Sequence, residues 1–296
     1  MHKSGFVNII GEPNVGKSTL MNALVGDKMS IINSKPQTTR HRIIGIYNDD
    51  DHQIVFSDTP GWIEEAHYKM QEVMNKFAYS TFEDGDVQLL IIDVLREPDL
   101  DNRLIDKMKK SSDSKVLILN KIDEASSEKV AEIRKLWEET LVFDHVFEIS
   151  AKLRTGVDSL FGHIKSVLPE GPAYYPKDQL TDKPERFFVS EMIRGNILEL
   201  YHQEIPYSAE VEIEEFKESL LRGEDFVRIR ANIYVNRKTQ KSIIIGKGGA
   251  AIKQLGISSR KDIEEFLGKR IHLELFVKVA EGWRDNQSKL NQFGYK

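Results

Sequence analysis

The sequence predicts an α/β domain with a mainly parallel sheet and helices on both faces, followed by a smaller α+β domain. Three observations lead there. From residue 5 to about 168, short apolar runs alternate with segments of helical period. The first run, FVNII, feeds directly into the glycine-bearing stretch GEPNVGKST at 11–19 and then into LMNALVG. Beyond a proline-bearing stretch, the dominant period changes to two, in VEIEEF and FVRIRANIYV. Strand–helix alternation with apolar strands is the pattern of a sheet buried on both faces.

In the first part the strand candidates are GFVNII, HRIIGIY, HQIVFSD, VQLLIID, KVLILN and HVFEIS. The helix candidates lie near 17–25, 68–82, 101–111, 126–140 and 157–168. Ligands of such sheets gather at the carboxyl ends of the strands. Residues 171–184 hold Pro172, Pro176 and Pro184 and break all periodicity. The expected boundaries are therefore a first domain 1–170, a linker 171–184 and a second domain 185–296. In the second domain, 185–204 reads as helix and the two alternating runs as strands. A helical segment surrounds IIIGKGGAAIKQLG, another is expected at 258–267, and IHLELFVKV closes the domain as a strand.

The chain has 296 residues, 40% of them hydrophobic and 30% charged, with net charge −5 and no cysteine. No apolar run approaches the roughly 18 residues of a membrane-spanning helix. The apolar part of MHKSGFVNII is too short for a signal peptide and is expected to be the first strand. Lack of cysteine excludes disulfides and thiolate metal sites and fits a cytoplasmic location. The total charge argues against nucleic acid, but its distribution does not. Residues 236–270 carry nine Lys/Arg against three acids, a local +6 on an otherwise acidic protein. A confined basic patch suggests a confined anionic partner.

GEPNVGKST matches G-x-x-x-x-G-K-[ST]. Its glycines let backbone N–H groups turn inward and, with the N-terminus of the next helix, cradle phosphate oxygens. The expected phosphate loop is Gly11, Glu12, Pro13, Asn14, Val15, Gly16, Lys17, Ser18 and Thr19. Lys17 reaches the β and γ phosphates and the Ser18 hydroxyl ligates Mg²⁺. DTPG follows the third strand: Asp58 is expected to reach Mg²⁺ through water, with Thr59 and Pro60 shaping the turn and the Gly61 N–H facing the γ-phosphate. In KPQTTRHR, 35–42, one threonine should sense Mg²⁺ and the γ-phosphate. Thr39 is the first choice and Thr38 the alternative. Lys17, Thr39 and Gly61 form the expected catalytic set, and Ser18, Thr39 and Asp58 the metal set. Asp93, ending LLIID, competes with Asp58 for the Mg²⁺ role and is read as a strand-end residue in a loop.

NKID at 120–123 follows the strand VLIL. The Asp123 carboxylate accepts from two adjacent donors, which guanine presents and adenine does not. An adenine would leave it unpaired. Asn120 is expected on the base's other edge, the Lys121 stem over its face, and backbone N–H near Ser150 and Ala151 at guanine O6. The nucleotide is then GTP or its product GDP.

Together with EIPYSAEVEI and IIIGKGGAAIKQLG, these motifs resemble the Era family, GTPases that carry a C-terminal KH domain, over essentially the whole chain. The resemblance implies a P-loop GTPase fold followed by a type II KH domain. It implies GTP hydrolysis, binding to the 3′ end of small-subunit ribosomal RNA, assistance to 30S subunit maturation, and partial association with the inner face of the cytoplasmic membrane. The protein is expected to act as a monomer. The chain departs from the family pattern where WIEEAHYK follows DTPG. Asn14 resembles a residue that holds K⁺ beside the phosphates in related GTPases; bracing the loop is the competing role. Position 62, where many GTPases place a water-orienting Gln, is Trp, so intrinsic turnover is expected to be slow.

The second domain adds chemistry of its own. GKGG at 246–249, between two helices, fits the G-x-x-G loop that clamps a four-nucleotide backbone stretch. Gly246, Lys247, Gly248 and Gly249, with Lys253, are the expected backbone contacts. Ile243, Ile244, Ile252 and Leu255 are expected to line an apolar groove for unstacked bases. The order α-β-β-α-α-β is the type II arrangement. Two rival functions stand beside ribosome assembly: an RNA chaperone with structural nucleotide, and a membrane-associated signalling GTPase whose KH domain contacts protein or lipid.

Overall fold

The computed structural model describes residues 1–296 other than 27–28, 34, 36, 83–84, 99–102, 112, 222–223 and 296, and leaves aside the side chains of residues 104, 221 and 224. The chain divides into two units, residues 1–67 with 71–182, and 68–70 with 183–296.

The first unit runs β1 (Lys3–Ile10), α1 (Lys17–Val25), β2 (Ile43–Asn48), β3 (His52–Asp58), α2 (Lys69–Ser80), β4 (Val87–Asp93), α3 (Arg103–Lys110), β5 (Ser114–Asn120), α4 (Ser127–Thr140), β6 (His145–Ile149) and α5 (Val157–Val167). The start of the helix expected at 101–111 lies outside the described residues. The sheet order is β2-β3-β1-β4-β5-β6. β2 pairs antiparallel with β3; every other pairing is parallel. β1 is therefore the strand at which the chain's direction of travel reverses, the place where a ligand crevice opens. Alternate residues of the central strands face opposite layers, and Val7, Ile9, Ile54, Phe56, Ile91, Val116 and Ile118 all have zero exposure. That is why these strands read as unbroken apolar runs. One layer packs Leu90, Ile92, Leu117 and Leu119 against Ile105, Met108, Ile133 and Trp137.

The proline-bearing stretch is not a free linker up to residue 182. Tyr174 and Tyr175 both donate backbone N–H to Gln53 Oε1, at 2.6 and 2.9 Å, and Ile46 N–H donates to Leu180 O at 2.8 Å. Proline broke the periodicity without detaching the chain. The partners lie more than a hundred residues back in sequence, so no local pattern announces them.

The second unit comprises α6 (Glu185–Leu200), α7 (Ile205–Ser208), β7 (Glu210–Leu221), β8 (Glu224–Val235), α8 (Lys238–Ile245), α9 (Ala250–Leu267), β9 (Arg270–Val279) and α10 (Gln287–Gln292). β7 and β8 are antiparallel, β8 and β9 parallel. Val227, Ile229, Ala231, Ile233 and Val235 form the buried face, against Val189, Ile193, Ile197, Ile244, Leu255 and Ile263. The separate helix expected at 258–267 is a continuation of α9: Leu255, Ser259 and Ile263 repeat every four residues along one buried stripe. The C-terminal segment has no counterpart in the sequence reading. Trp283 Nε1 donates to Ser208 O at 3.0 Å, and Tyr295 OH to Glu210 Oε2 at 2.7 Å. A six-residue helix has too little periodicity to register, but its two aromatic anchors are fully buried.

Candidate functional site

The loop leaving β1 wraps into α1 through Gly16, whose φ of +106° is closed to residues with a side chain; a Cβ there would also lie 2.3 Å from Asn120 Nδ2. Gly61, after β3, sits so close that a Cβ would meet Pro13 N at 2.6 Å. The DTPG turn therefore rests directly on the phosphate loop.

A cleft of about 710 Å³ opens at the carboxyl ends of these strands. This is the size of an ordinary small-molecule site. Its lining brings together Pro13, Asn14, Gly16, Lys17, Ser18, Thr19, Thr39, Gly61, Asn120, Lys121, Asp123, Ser150 and Ala151. Ile31, Ile32, Asn33, Gln37, Arg96, Glu124 and Lys152 also line it and were not anticipated. The remaining expected contacts lie elsewhere. Gly11, Glu12 and Val15 line a smaller cavity at the back of the loop, and Asp58, Thr59 and Pro60 are buried beneath it. Gly11 is required there by close approach, since a Cβ would fall 2.3 Å from Ile91 O.

Lys17 Nζ donates to the carbonyls of Gly11, at 3.1 Å, and Glu12, at 2.6 Å. Burial lowers its pKa to about 8, against the pull of Asp58 and Glu12. A phosphate beside the ammonium favours its charged form. Three oxygens converge next to it. Ser18 Oγ donates to Asp58 Oδ2 at 2.7 Å and lies 2.9 Å from Thr39 Oγ1, which is 3.4 Å from the same carboxylate oxygen. Burial raises the Asp58 pKa, opposed by Lys17 and the hydroxyls. Asp58 Oδ1 is buried with no hydrogen-bond partner. An all-oxygen set with one carboxylate and an unpartnered oxygen fits Mg²⁺, which binds through few carboxylates plus substrate phosphates. Thr38 also lines the cleft, and its hydroxyl donates to Lys35 O at 2.6 Å.

Asn120, Lys121, Asp123, Ser150 and Ala151 meet on one side of the cleft. Asn120 is 3% exposed, donating to Val15 O at 2.7 Å and accepting from Ala151 N–H at 2.9 Å. Its amide braces the phosphate loop against the Ser150–Ala151 turn, and Nδ2 carries a second N–H beyond the one given to Val15 O. Asp123 stands exposed at the rim, where a base would cover it. Lys121 holds φ at +68° and Asn14 at +66°, a left-handed conformation uncommon outside glycine. Trp62 packs edge-on against Tyr79, ring centroids 4.6 Å apart, with its Nε1 buried and unpartnered.

In the second unit the GKGG loop is built for backbone approach. Gly246, Gly248 and Gly249 have φ of +72°, +59° and +79°, and Lys247 and Gly248 are exposed. Lys253 is exposed on the first turns of α9. The expected apolar groove is corrected: Ile244 and Leu255 have zero exposure and belong to the core. Tyr201 OH donates to Ile244 O at 2.8 Å, fixing the end of α8. Ile252 is partly buried, and the exposed apolar side chains are Ile243, at 51%, and Ile257, at 55%. Sequence periodicity could have separated them: Ile244 and Leu255 fall on the stripes facing the sheet.

The fold and the cleft define a P-loop GTPase joined to a KH domain. Family models described as "50S ribosome-binding GTPase" and "KH domain" match residues 6–121 and 204–284. The chain belongs to the Era family of GTPases, and it hydrolyses GTP. It is 45% identical to GTPase Era of Alkaliphilus metalliredigens, over 100% of this chain and 99% of that one. It is 42% identical to the chloroplastic GTPase ERA-like protein of Oryza sativa subsp. japonica, over 99% of this chain and 70% of that one. Among solved structures, Aquifex aeolicus Era bound to GDP and aluminium fluoride superposes with a TM-score of 0.93 at 35% identity, covering 99% of both chains. Era in complex with MgGDPNP and nucleotides 1506–1542 of 16S ribosomal RNA gives the same score and identity, over 100% of this chain and 99% of that one.

Proposed function

We propose that this GTPase binds the 3′ end of small-subunit ribosomal RNA through its KH domain and assists 30S subunit maturation in the cytoplasm. The carrying observation is the full-length likeness to an Era chain bound to MgGDPNP and a 16S rRNA segment. The exposed, left-handed GKGG loop supports it with the right chemistry for a phosphate backbone.

In the cleft, Lys17 and the loop N–H groups hold the triphosphate, Asp123 selects guanine, and Lys121 covers the base. Ser18, Thr39 and Asp58, the last through water, would hold Mg²⁺, which would supply positive charge against the charge developing on the phosphates. Thr39 senses the γ-phosphate and the Gly61 N–H donates to it. Trp62 offers an N–H donor but no acceptor for the attacking water, so backbone groups orient it and intrinsic turnover is slow. Asn14 supports a K⁺ site beside the phosphates: hydrolysis should run faster in K⁺ than in Na⁺ at equal ionic strength, and Asn14→Ala should abolish the difference. Equal rates in both salts would leave Asn14 as a brace.

No described helix is long and apolar enough to cross a membrane. The test of the proposal is crosslinking of the GTP-bound protein in cells followed by sequencing of the attached RNA. Enrichment of the small-subunit rRNA 3′ end is expected; its absence from the crosslinked pool would refute the reading.

A further inference from the structure

Asp93 does more than end a strand. Its carboxylate is 4% exposed and sits between two of the loops that form the cleft. Oδ1 accepts the N–H of Leu95 at 3.0 Å, which fixes the side chain over its own turn. Oδ2 accepts Lys121 Nζ at 2.6 Å and lies 3.4 Å from Arg96 Nε. Arg96 in turn reaches the phosphate loop, donating Nη1 to Pro13 O at 3.0 Å. One buried carboxylate thus links the lysine of the base-reading loop to the Pro13–Asn14 turn.

Each end of that link lies at or beside one of the five described non-glycine residues with positive φ. Lys121 and Asn14 each hold a left-handed φ. Such conformations cost on the order of 1–3 kcal/mol and persist only where the surroundings over-determine them. Asp93 restrains Lys121 directly and the turn preceding Asn14 through Arg96.

We propose that Asp93 and Arg96 are positioning residues for GTP hydrolysis, a brace that holds the guanine-covering lysine and the phosphate-loop turn in one register. This rests on the reading of the cleft as the GTP site. Neither residue is assigned to a reacting atom. Asp93 acts through Lys121 and Arg96, and Arg96 acts through the Pro13 carbonyl. Arg96 is 44% exposed, so its ion pair is screened and adds little to folding. Its removal should disturb the turn while sparing the fold.

The experiment is steady-state GTP hydrolysis and GDP titration on the full chain, with thermal unfolding measured in parallel. Arg96→Ala should lower kcat about tenfold, the scale of one charge-assisted hydrogen bond that sets geometry, with GDP affinity within about threefold. Asp93→Asn should lower kcat about tenfold and also weaken GDP about tenfold, because it releases Lys121 as well. The double variant should match Asp93→Asn in kcat, since both act through one connection. Arg96→Lys should recover only part of the loss, because an ammonium cannot span Asp93 and Pro13 O together. Unchanged kcat in Arg96→Ala, or independent multiplicative losses in the double variant, would overturn the brace. A lowered unfolding temperature with kcat and GDP affinity intact would overturn it too. Failure of the unsubstituted chain to bind GDP would instead refute the cleft assignment.

Discussion

The nucleotide cleft and the GKGG loop are opposite constructions. The cleft gathers residues from Pro13 to Lys152, contributed by loops after several strands, and its polar groups are hydrogen-bonded to one another. The loop is four consecutive residues whose glycines hold positive φ and whose lysine points into water. Discrimination among bases requires donors and acceptors fixed by distant parts of the chain, because an unpaired polar group must be costly for the wrong ligand. Holding a phosphate backbone requires only close approach and positive charge, which a local turn supplies. A substitution in the cleft should therefore change which ligand binds, and one in the loop how tightly.

The largest expected effect tests the first half of that contrast. Asp123→Asn exchanges a two-fold acceptor for an amide that can donate to the 2-carbonyl of xanthine. The GTP-to-XTP preference should move by about 10⁴, the scale on which a hydrogen-bonding site rejects a mismatched analogue. Parallel titrations with both nucleotides measure it, and an unaltered preference for GTP would remove Asp123 from the base pocket. Next comes the loop. Lys247→Asp with Gly248→Asp places two carboxylates where phosphates lie, and affinity for a single-stranded rRNA 3′-end fragment should fall at least about a hundredfold. GTP affinity should stay put; a fall in both would mean that the two regions are not separable.

Ile244→Ala probes the boundary between loop and core. The side chain is fully buried, so truncation should destabilise the protein by about 2–5 kcal/mol, read from denaturant unfolding. RNA affinity of the remaining folded protein should hold, whereas Ile243→Ala should do the reverse, weakening RNA with little loss of stability. Stable protein with poor RNA binding after Ile244→Ala would restore the residue to the groove. The smallest effect belongs to Lys253→Ala. An exposed lysine facing one phosphate should contribute a few-fold in affinity, and its loss should reduce the slope of log K against log salt by about 0.7. An unchanged slope would place Lys253 away from the RNA.

The strands of the first unit were legible because their signals are local and repeated, whereas the short α10 and the unbroken length of α9 were not. Six apolar runs became six strands within a residue or two of the expected ends. What escaped was whatever depends on one residue meeting another far away. The 171–182 segment carries its hydrogen-bond partner at Gln53, Asn120 spends its amide on Val15 and Ala151, and Arg96 reaches back to Pro13. None of these pairs leaves a periodic trace.

The amino-acid sequence by itself marked the GEPNVGKST loop, the NKID tetrapeptide, the DTPG turn and the GKGG loop. Each is a run of neighbouring residues whose chemistry is set by backbone freedom and side-chain type, so order and spacing carry the message. Only the tertiary structure decided which of those residues line the cleft and which hold the loops together. It brought the Thr39 hydroxyl to Ser18 and Asp58 and that of Thr38 to Lys35 O, and it withdrew Ile244 and Leu255 into the core. It also turned Asp93 into a junction between Lys121 and Arg96. The physical reason is that a side chain's role depends on the nearest complementary group in space, and that group is supplied by packing, not by adjacency in the chain.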